Sequence, residues 1–245
     1  MSVNVGMNHK IKNSMKKLVT LLLLTFAIVV VGKAQVTNQR LFDTTGFIPE
    51  HYAERIALFA TQKLPKHPIV FLGNSITEMG NWQQLLNDSN VVNRGIGGDI
   101  TYGVLHRLPE IIAMQPAKVF LLIGINDIGK DIPGAVIAQN MATIVKRLKE
   151  GSPHTKIYVE SIMPVNPDVP NFPQHYDKQG YILNANKLIK AAMQPLQVPF
   201  INIHDLFTDA QGRLNAKYTA DGLHLTQTGG GYDKWIAFLK KGRYL

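Results

Sequence analysis

The sequence contains no cysteine, so it forms no disulfide bonds and offers no cysteine for lipid attachment. It also lacks a run of basic residues interleaved with aromatic residues, and a nucleic-acid partner is therefore not expected. No internal repeat or low-complexity linker interrupts it. The roughly 210 residues that follow the first segment suit one domain with a full hydrophobic core.

The N-terminal segment has the features of an export signal. Two lysines precede an apolar stretch from Leu18 to Val31, and small residues around Ala34 suit a signal peptidase. The alternative is a transmembrane anchor, but about 14 apolar residues fall short of the roughly 20 that span a bilayer. We predict a signal peptide over residues 1–34, with 1–14 as an upstream extension. The chain would then be periplasmic or extracellular, without a stable membrane anchor.

Removal of that segment changes the charge of the chain. It carries five lysines and no acid, so the formal net charge falls from +9 to +4, which is an ordinary surface. Residues 35–67 form a polar, partly helical lead-in, and residues 68–245 form the predicted domain.

Apolar runs and helical segments alternate along that domain. The predicted strands are Ile69–Leu72, Val91–Val92, Val119–Ile123, Ile157–Ile162 and Phe200–Ile203. The predicted helices are Glu50–Lys63, Glu78–Leu86, Ile100–Met114, Pro133–Lys149, Tyr181–Leu196 and Tyr232–Leu239. Strands without polar alternation, each separated by a helix, are typical of a parallel sheet covered on both faces. We therefore predict an α/β fold, a three-layer α/β/α sandwich.

Four polar or glycine-rich segments mark the candidate site: Gly73–Thr77, Gly95–Asp99, Gly124–Asp127 and Asp221–His224. An active site assembled on the edge of a parallel sheet would leave such segments in a sequence. The last of them places an acid and a base three residues apart. A serine hydroxyl becomes a good nucleophile when a histidine takes its proton and a carboxylate orients that histidine.

The ordered set of segments resembles the SGNH hydrolases, also called the GDSL esterase/lipase family, from about Ile69 to the C-terminus. The resemblance implies five strands in flavodoxin-like order. It assigns Ser75 as nucleophile, His224 as base and Asp221 as the acid that orients His224. Asn74 stands where the family usually has aspartate, and this departure bears on supporting contacts, not on the nucleophile.

The same resemblance implies an oxyanion hole formed by the backbone N–H of Ser75, the backbone N–H of Gly98 and the side-chain amide of Asn126. Other interpretations exist for each segment. Ser75 could be only a helix N-cap, Asn126 could belong to a simple turn, and Asp221–His224 could be an exposed turn. A dinucleotide-binding loop fails because its third glycine would fall at Ile100.

Most of the eight histidines must be incidental. His204 is followed by Asp205, but neighbours on a strand point to opposite faces, so this pair is not expected to interact. The histidines without an acidic companion are His51, His67, His106, His154 and His175. No spacing typical of metal ligands appears, so neither a metal nor another cofactor is expected.

A proline-rich segment follows the fourth predicted strand. Prolines recur at every third position from Pro164 to Pro173, which neither a strand nor a regular helix accommodates. The segment is either a stiff surface connection or a wall of the substrate site.

These observations predict an exported serine esterase that acts on a small-molecule or glycan ester. The resemblance favours the family branch of platelet-activating-factor acetylhydrolase-like proteins and bacterial sialate or other sugar O-acetylesterases, so acetyl groups on carbohydrates are the expected substrate. The alternatives are a lysophospholipase, a short-chain lipid esterase or a thioesterase, and a catalytically silent glycan-binding domain. The sequence leaves the oligomeric state open.

Overall fold

The computed structural model describes residues 49–169 and 171–245. The predicted signal peptide, its upstream extension and the first part of the lead-in lie outside the described residues. The strands are β1 (Ile69–Gly73), β2 (Val91–Gly95), β3 (Lys118–Leu122), β4 (Lys156–Glu160) and β5 (Phe200–Ile201). All of their pairings are parallel, in the order β2-β1-β3-β4-β5. The predicted α/β class and flavodoxin-like strand order are confirmed.

Helices connect the strands. They are α1 (Pro49–Thr61), α2 (Ser75–Glu78), α3 (Trp82–Leu86), α4 (Thr101–Ala113), α5 (Ile125–Gly129), α6 (Gly134–Gly151), α7 (Gln179–Met193), α8 (His204–Phe207) and α9 (Gly231–Lys241). Short 3-10 helices lie at Pro173–His175 and Ala216–Tyr218. In the part of the chain that the structure describes, no helix has the length and apolarity needed to cross a membrane.

The sheet is covered on both faces. Consecutive residues of β1 and β3 are buried although their side chains point to opposite sides. On one side, Phe71 stacks on Phe120 of the neighbouring strand and on Trp82 of α3, with ring centroids 4.9 and 3.9 Å apart. Trp235 of α9 meets Trp82 edge-on at 5.0 Å. The helices α4, α6 and α7 pack side by side. The arrangement is the predicted three-layer sandwich.

Several predicted boundaries are wrong. The fifth strand ends at Ile201 and not at Ile203, and the helix predicted over Tyr181–Leu196 runs over Gln179–Met193. Two other differences have identifiable reasons. The helix predicted over Glu78–Leu86 is two short helices, because the chain turns at Gly80, where an added Cβ would lie 2.4 Å from the Trp82 ring. The fourth strand ends at Glu160 and not at Ile162. The Asn186 side chain accepts from the Ile162 N–H at 2.8 Å and donates to its carbonyl at 2.9 Å, so a side chain replaces the strand partner.

Candidate active site

Ser75 occupies the first turn after β1. The strand ends at Gly73, and the buried Asn74 caps α2 by accepting from the Ile76 N–H at 3.1 Å. An asparagine oxygen serves this capping role as well as an aspartate does. Ser75 therefore begins helix α2 at the edge of the sheet where the parallel strands end, and Ser75 is only partly buried.

Asp221 and His224 are held together by a tight turn. One carboxylate oxygen of Asp221 accepts from the Leu223 and His224 N–H groups at 2.9 and 2.8 Å, and the other lies 2.7 Å from His224 Nδ1. Gly222 has φ +82°, and a Cβ there would lie 2.4 Å from the Asn166 carbonyl, so the turn requires glycine. Partial burial acts to raise the pKa of Asp221, but these hydrogen bonds hold it below its usual value. Asp221 is therefore a carboxylate at neutral pH.

The turn places His224 beside Ser75, which lies 149 positions earlier in the chain. His224 Nε2 lies 2.8 Å from Ser75 Oγ. When Nδ1–H donates to Asp221, Nε2 is left unprotonated and can accept the Ser75 proton. The three side chains that were predicted to act together thus form one hydrogen-bonded line.

Gly98 lies on the loop after β2, and Asn126 lies in the first turn of helix α5, after β3. These two strands flank β1. Gly98 has φ +76°, a left-handed conformation that glycine adopts without strain. The Asn126 side chain donates one N–H to the Asp99 carbonyl at 2.9 Å, which orients the amide and leaves its second N–H for another acceptor. The glycine loop is also tied to the serine segment, because the Ile96 N–H donates to the Gly73 carbonyl at 3.1 Å.

A buried polar network that the sequence interpretation did not foresee joins the glycine loop, helix α4 and helix α5. Arg107 of α4 donates to the Gly73 carbonyl and to the Asp99 carboxylate, both at 3.0 Å. Burial raises the pKa of Asp99 to about 6 against the opposing effect of Arg107. Burial likewise raises the pKa of Asp127 to about 7, although Thr101 donates to it through its hydroxyl at 2.6 Å. Asp99 and Asp127 end two of the segments that the sequence singled out, whereas Arg107 and Thr101 lie in α4, where the signal was a charged or polar residue in a largely apolar helix.

The proline-rich segment packs against the Asp221–His224 turn. The Asn166 N–H donates to the Gly222 carbonyl at 2.8 Å, and the Phe172 ring meets the His224 ring edge-on at 5.2 Å. His175 is buried beside them, and burial together with the charge of His224 lowers its pKa to about 4. Of the two interpretations of this segment, the contacts favour a wall of the candidate site.

Two predictions about the other histidines are wrong. His204 begins helix α8 and not a strand end, and its Nδ1 lies 3.0 Å from Asp205 Oδ1, because neighbouring residues on a helix start can turn toward each other. Its Nε2 contacts the Gln179 amide, however, and it is the His204 backbone N–H, not the ring, that donates to a serine hydroxyl, that of Ser161. His51 also has an acidic partner, Glu78, at 3.0 Å. Across residues 49–169 and 171–245, no group of three or more histidine and acidic side chains is arranged to hold a metal ion.

Comparison with known proteins places this geometry in a family. The model of the GDSL-like lipase/acylhydrolase family matches residues 71–230. The platelet-activating factor acetylhydrolase IB subunit alpha2 of Rattus norvegicus is 28% identical over 173 residues, 68% of this chain and 71% of the relative.

Solved structures agree with the family match. A Streptococcus pneumoniae protein provisionally identified as a platelet activating factor is 30% identical, with a TM-score of 0.68 over 86% of this chain and 98% of its own. An acetylxylan esterase from Geobacillus stearothermophilus shares the fold, at 19% identity and a TM-score of 0.57 over 74% of this chain and 96% of its own. The chain is therefore an ester hydrolase and belongs to the GDSL-like lipase/acylhydrolase family.

Proposed function

We propose that the chain is an exported serine esterase that removes acetyl and other short acyl groups, above all from carbohydrate hydroxyls. The observation that carries the proposal is the hydrogen-bonded line from Ser75 Oγ through His224 to Asp221, with distances of 2.8 and 2.7 Å. A nucleophile in reach of a base, and a base oriented by a third group, is the arrangement that acyl transfer requires.

The reaction proceeds in two halves. Ser75 Oγ attacks the ester carbonyl and its proton passes to His224 Nε2, while Asp221 stabilises the imidazolium. The resulting oxyanion accepts hydrogen bonds from the Ser75 N–H, the Gly98 N–H and the free Asn126 amide N–H. Collapse expels the alcohol, which takes the proton from His224. Water then repeats the sequence on the acyl-enzyme and releases the carboxylic acid.

The acetyl preference is supported by the relatives. The names of the rat protein and of the Geobacillus enzyme both specify acetyl groups, one on platelet-activating factor and one on xylan. A wall formed by Phe172 beside His224 is consistent with a small acyl group. The predicted signal peptide makes a decorated glycan outside the cytoplasm the more accessible substrate.

The second candidate is a short-chain lipid esterase, which the similarity to platelet-activating factor acetylhydrolase favours. A glycan-binding domain without activity is not supported, since the chain belongs to an ester hydrolase family and has Ser75, His224 and Asp221 within hydrogen-bond distance of one another.

The proposal is tested by comparing kcat/KM for acetyl, butyryl and octanoyl esters of one alcohol, and for acetylated xylo-oligosaccharides and sialic acid. We expect a steep fall from acetyl to octanoyl, and release of acetate from at least one sugar. Faster hydrolysis of octanoyl than of acetyl esters would favour the lipid candidate instead. Cleavage after Ala34 is tested separately, by sequencing the N-terminus of the chain secreted from a bacterial host.

The catalytic assignments are tested in the same assay. Ser75→Ala and His224→Ala should each lower kcat/KM by several orders of magnitude, and a serine-directed phosphonate should label Ser75. His204→Ala is the matched control, because His204, like His224, has its Nδ1 within hydrogen-bond distance of an aspartate carboxylate. Near-full activity of Ser75→Ala, or loss of activity in His204→Ala alone, would overturn the assignment.

A further inference from the structure

Glu78 links the serine helix to the glycine loop. It ends helix α2, one turn after Ser75, and its side chain is 21% exposed. Its Oε2 accepts a short hydrogen bond from the Gly97 N–H. Gly97 directly precedes Gly98, whose own N–H is a proposed oxyanion donor.

Helix α1 supports this carboxylate with two cationic or polar groups. His51 Nε2 lies 3.0 Å from Glu78 Oε2, and Arg55 Nε lies 3.3 Å from Oε1. Arg55 also donates to the Gly95 carbonyl, at 3.1 Å from Nη2. The Arg55 side chain therefore contacts both Glu78 and the start of the glycine loop.

The loop and the helix are in direct contact at this point. A Cβ on Gly95 would lie 2.1 Å from the Glu78 backbone nitrogen, and one on Gly97 would lie 3.3 Å from both Glu78 Oε2 and His51 Nε2. Three glycines within four positions give the loop much backbone freedom. A charge-assisted bond to the Gly97 N–H removes that freedom at the peptide next to the donor.

We infer that Glu78 is a positioning residue of the proposed oxyanion hole, and that His51 and Arg55 hold its carboxylate in place. The inference rests on the proposed function. A donor must be fixed before negative charge develops on the substrate, so a mobile Gly97–Gly98 peptide would weaken binding of the transition state more than binding of the ester. Loss of Glu78 should then act on kcat and leave KM nearly unchanged.

The test compares Glu78→Ala, Glu78→Gln and Glu54→Ala on a short-chain ester. We expect Glu78→Ala to lower kcat by about 10- to 100-fold with KM within about twofold. Glu78→Gln should recover most of the lost rate, because the amide oxygen still accepts from the Gly97 N–H. Glu54→Ala should behave like the unmodified chain, since Glu54 approaches the same His51 only at 3.8 Å and is exposed.

A second variant keeps the test decisive if Glu78→Ala does not fold. Arg55→Met removes the bonds to Glu78 and to the Gly95 carbonyl, and it should lower kcat about threefold to tenfold with KM unchanged. Full kcat in either Glu78→Ala or Arg55→Met, or equal losses in Glu78→Gln and Glu78→Ala, overturns the inference. If the unmodified chain hydrolyses esters and Ser75→Ala does not, such a result leaves the proposed function intact. An inactive unmodified chain would refute the proposed function itself.

Discussion

Glu160 should make the stability of this protein fall as pH rises. It is the last residue of β4, is 1% exposed, and lies under α9. Its Oε1 accepts from Trp235 Nε1 at 2.6 Å, and within the described residues its buried Oε2 has no hydrogen-bond partner. Burial raises the pKa of Glu160 from 4.5 to about 8, against the weaker opposing effect of the Trp235 bond. The folded protein therefore carries a neutral Glu160 at pH 7.

The direction of this pH dependence follows from the number of protons that the folded and the unfolded chain bind. Between pH 4.5 and 8 the unfolded chain has released this proton and the folded chain retains it, so each pH unit lowers the free energy of unfolding by about 1.4 kcal/mol. From pH 5 to 7.5 the contribution of Glu160 falls by about 3 kcal/mol. Glu160→Gln keeps the shape and the acceptor for Trp235 but cannot ionise. Its stability relative to the unmodified chain should therefore rise by about 3 kcal/mol over that range.

The assay is urea unfolding at several pH values between 5 and 7.5, monitored by circular dichroism and tryptophan fluorescence. Since urea slopes are typically about 1–3 kcal/mol per molar, the gap between the two midpoints should widen by about 1 M or more. Glu150→Gln is the control, because Glu150 is exposed on α6 and its curve should run parallel to that of the unmodified chain. Parallel curves for Glu160→Gln would refute the reasoning.

Two further variants probe the site and its support. Asn126→Ala should lower kcat by about 100-fold or more with little change in KM, because the amide bond strengthens only as the oxyanion forms; a rise in KM with kcat unchanged would contradict this. Arg107→Met should lower the free energy of unfolding by about 3–5 kcal/mol at pH 7.5, since it leaves the buried Asp99 carboxylate without its partner. The cost should be smaller at pH 5, where a raised pKa allows Asp99 to be neutral. Urea denaturation at the two pH values measures how much the substitution lowers the free energy of unfolding. An equal loss at both values would contradict the expectation that Asp99 is ionised at pH 7.5 and neutral at pH 5.

Much of the fold is visible in local patterns. Continuous apolar runs such as Val119–Ile123 and the helical spacing of Ile100–Met114 predicted elements that the structure contains, with small shifts at their ends. Hydrophobic periodicity and composition are properties of a few consecutive residues. They therefore predict a strand or a helix without knowledge of the segments that pack against it. The boundaries were less predictable, as at Ile162, where the Asn186 side chain takes the place of a strand.

The candidate site also contains residues that the sequence predicted and contacts that only the structure showed. The resemblance of the ordered segments to a known family singled out Ser75, Gly98, Asn126, Asp221 and His224. The structure then places Ser75, His224 and Asp221 within hydrogen-bond distance of one another. The sequence could not show that Arg107 bonds to Gly73, 34 positions away, or that Glu78 meets His51, 27 positions away. Nor could it place Phe172 against His224. Such contacts join segments distant in the chain, and only the packing of helices on the sheet determines which of them meet.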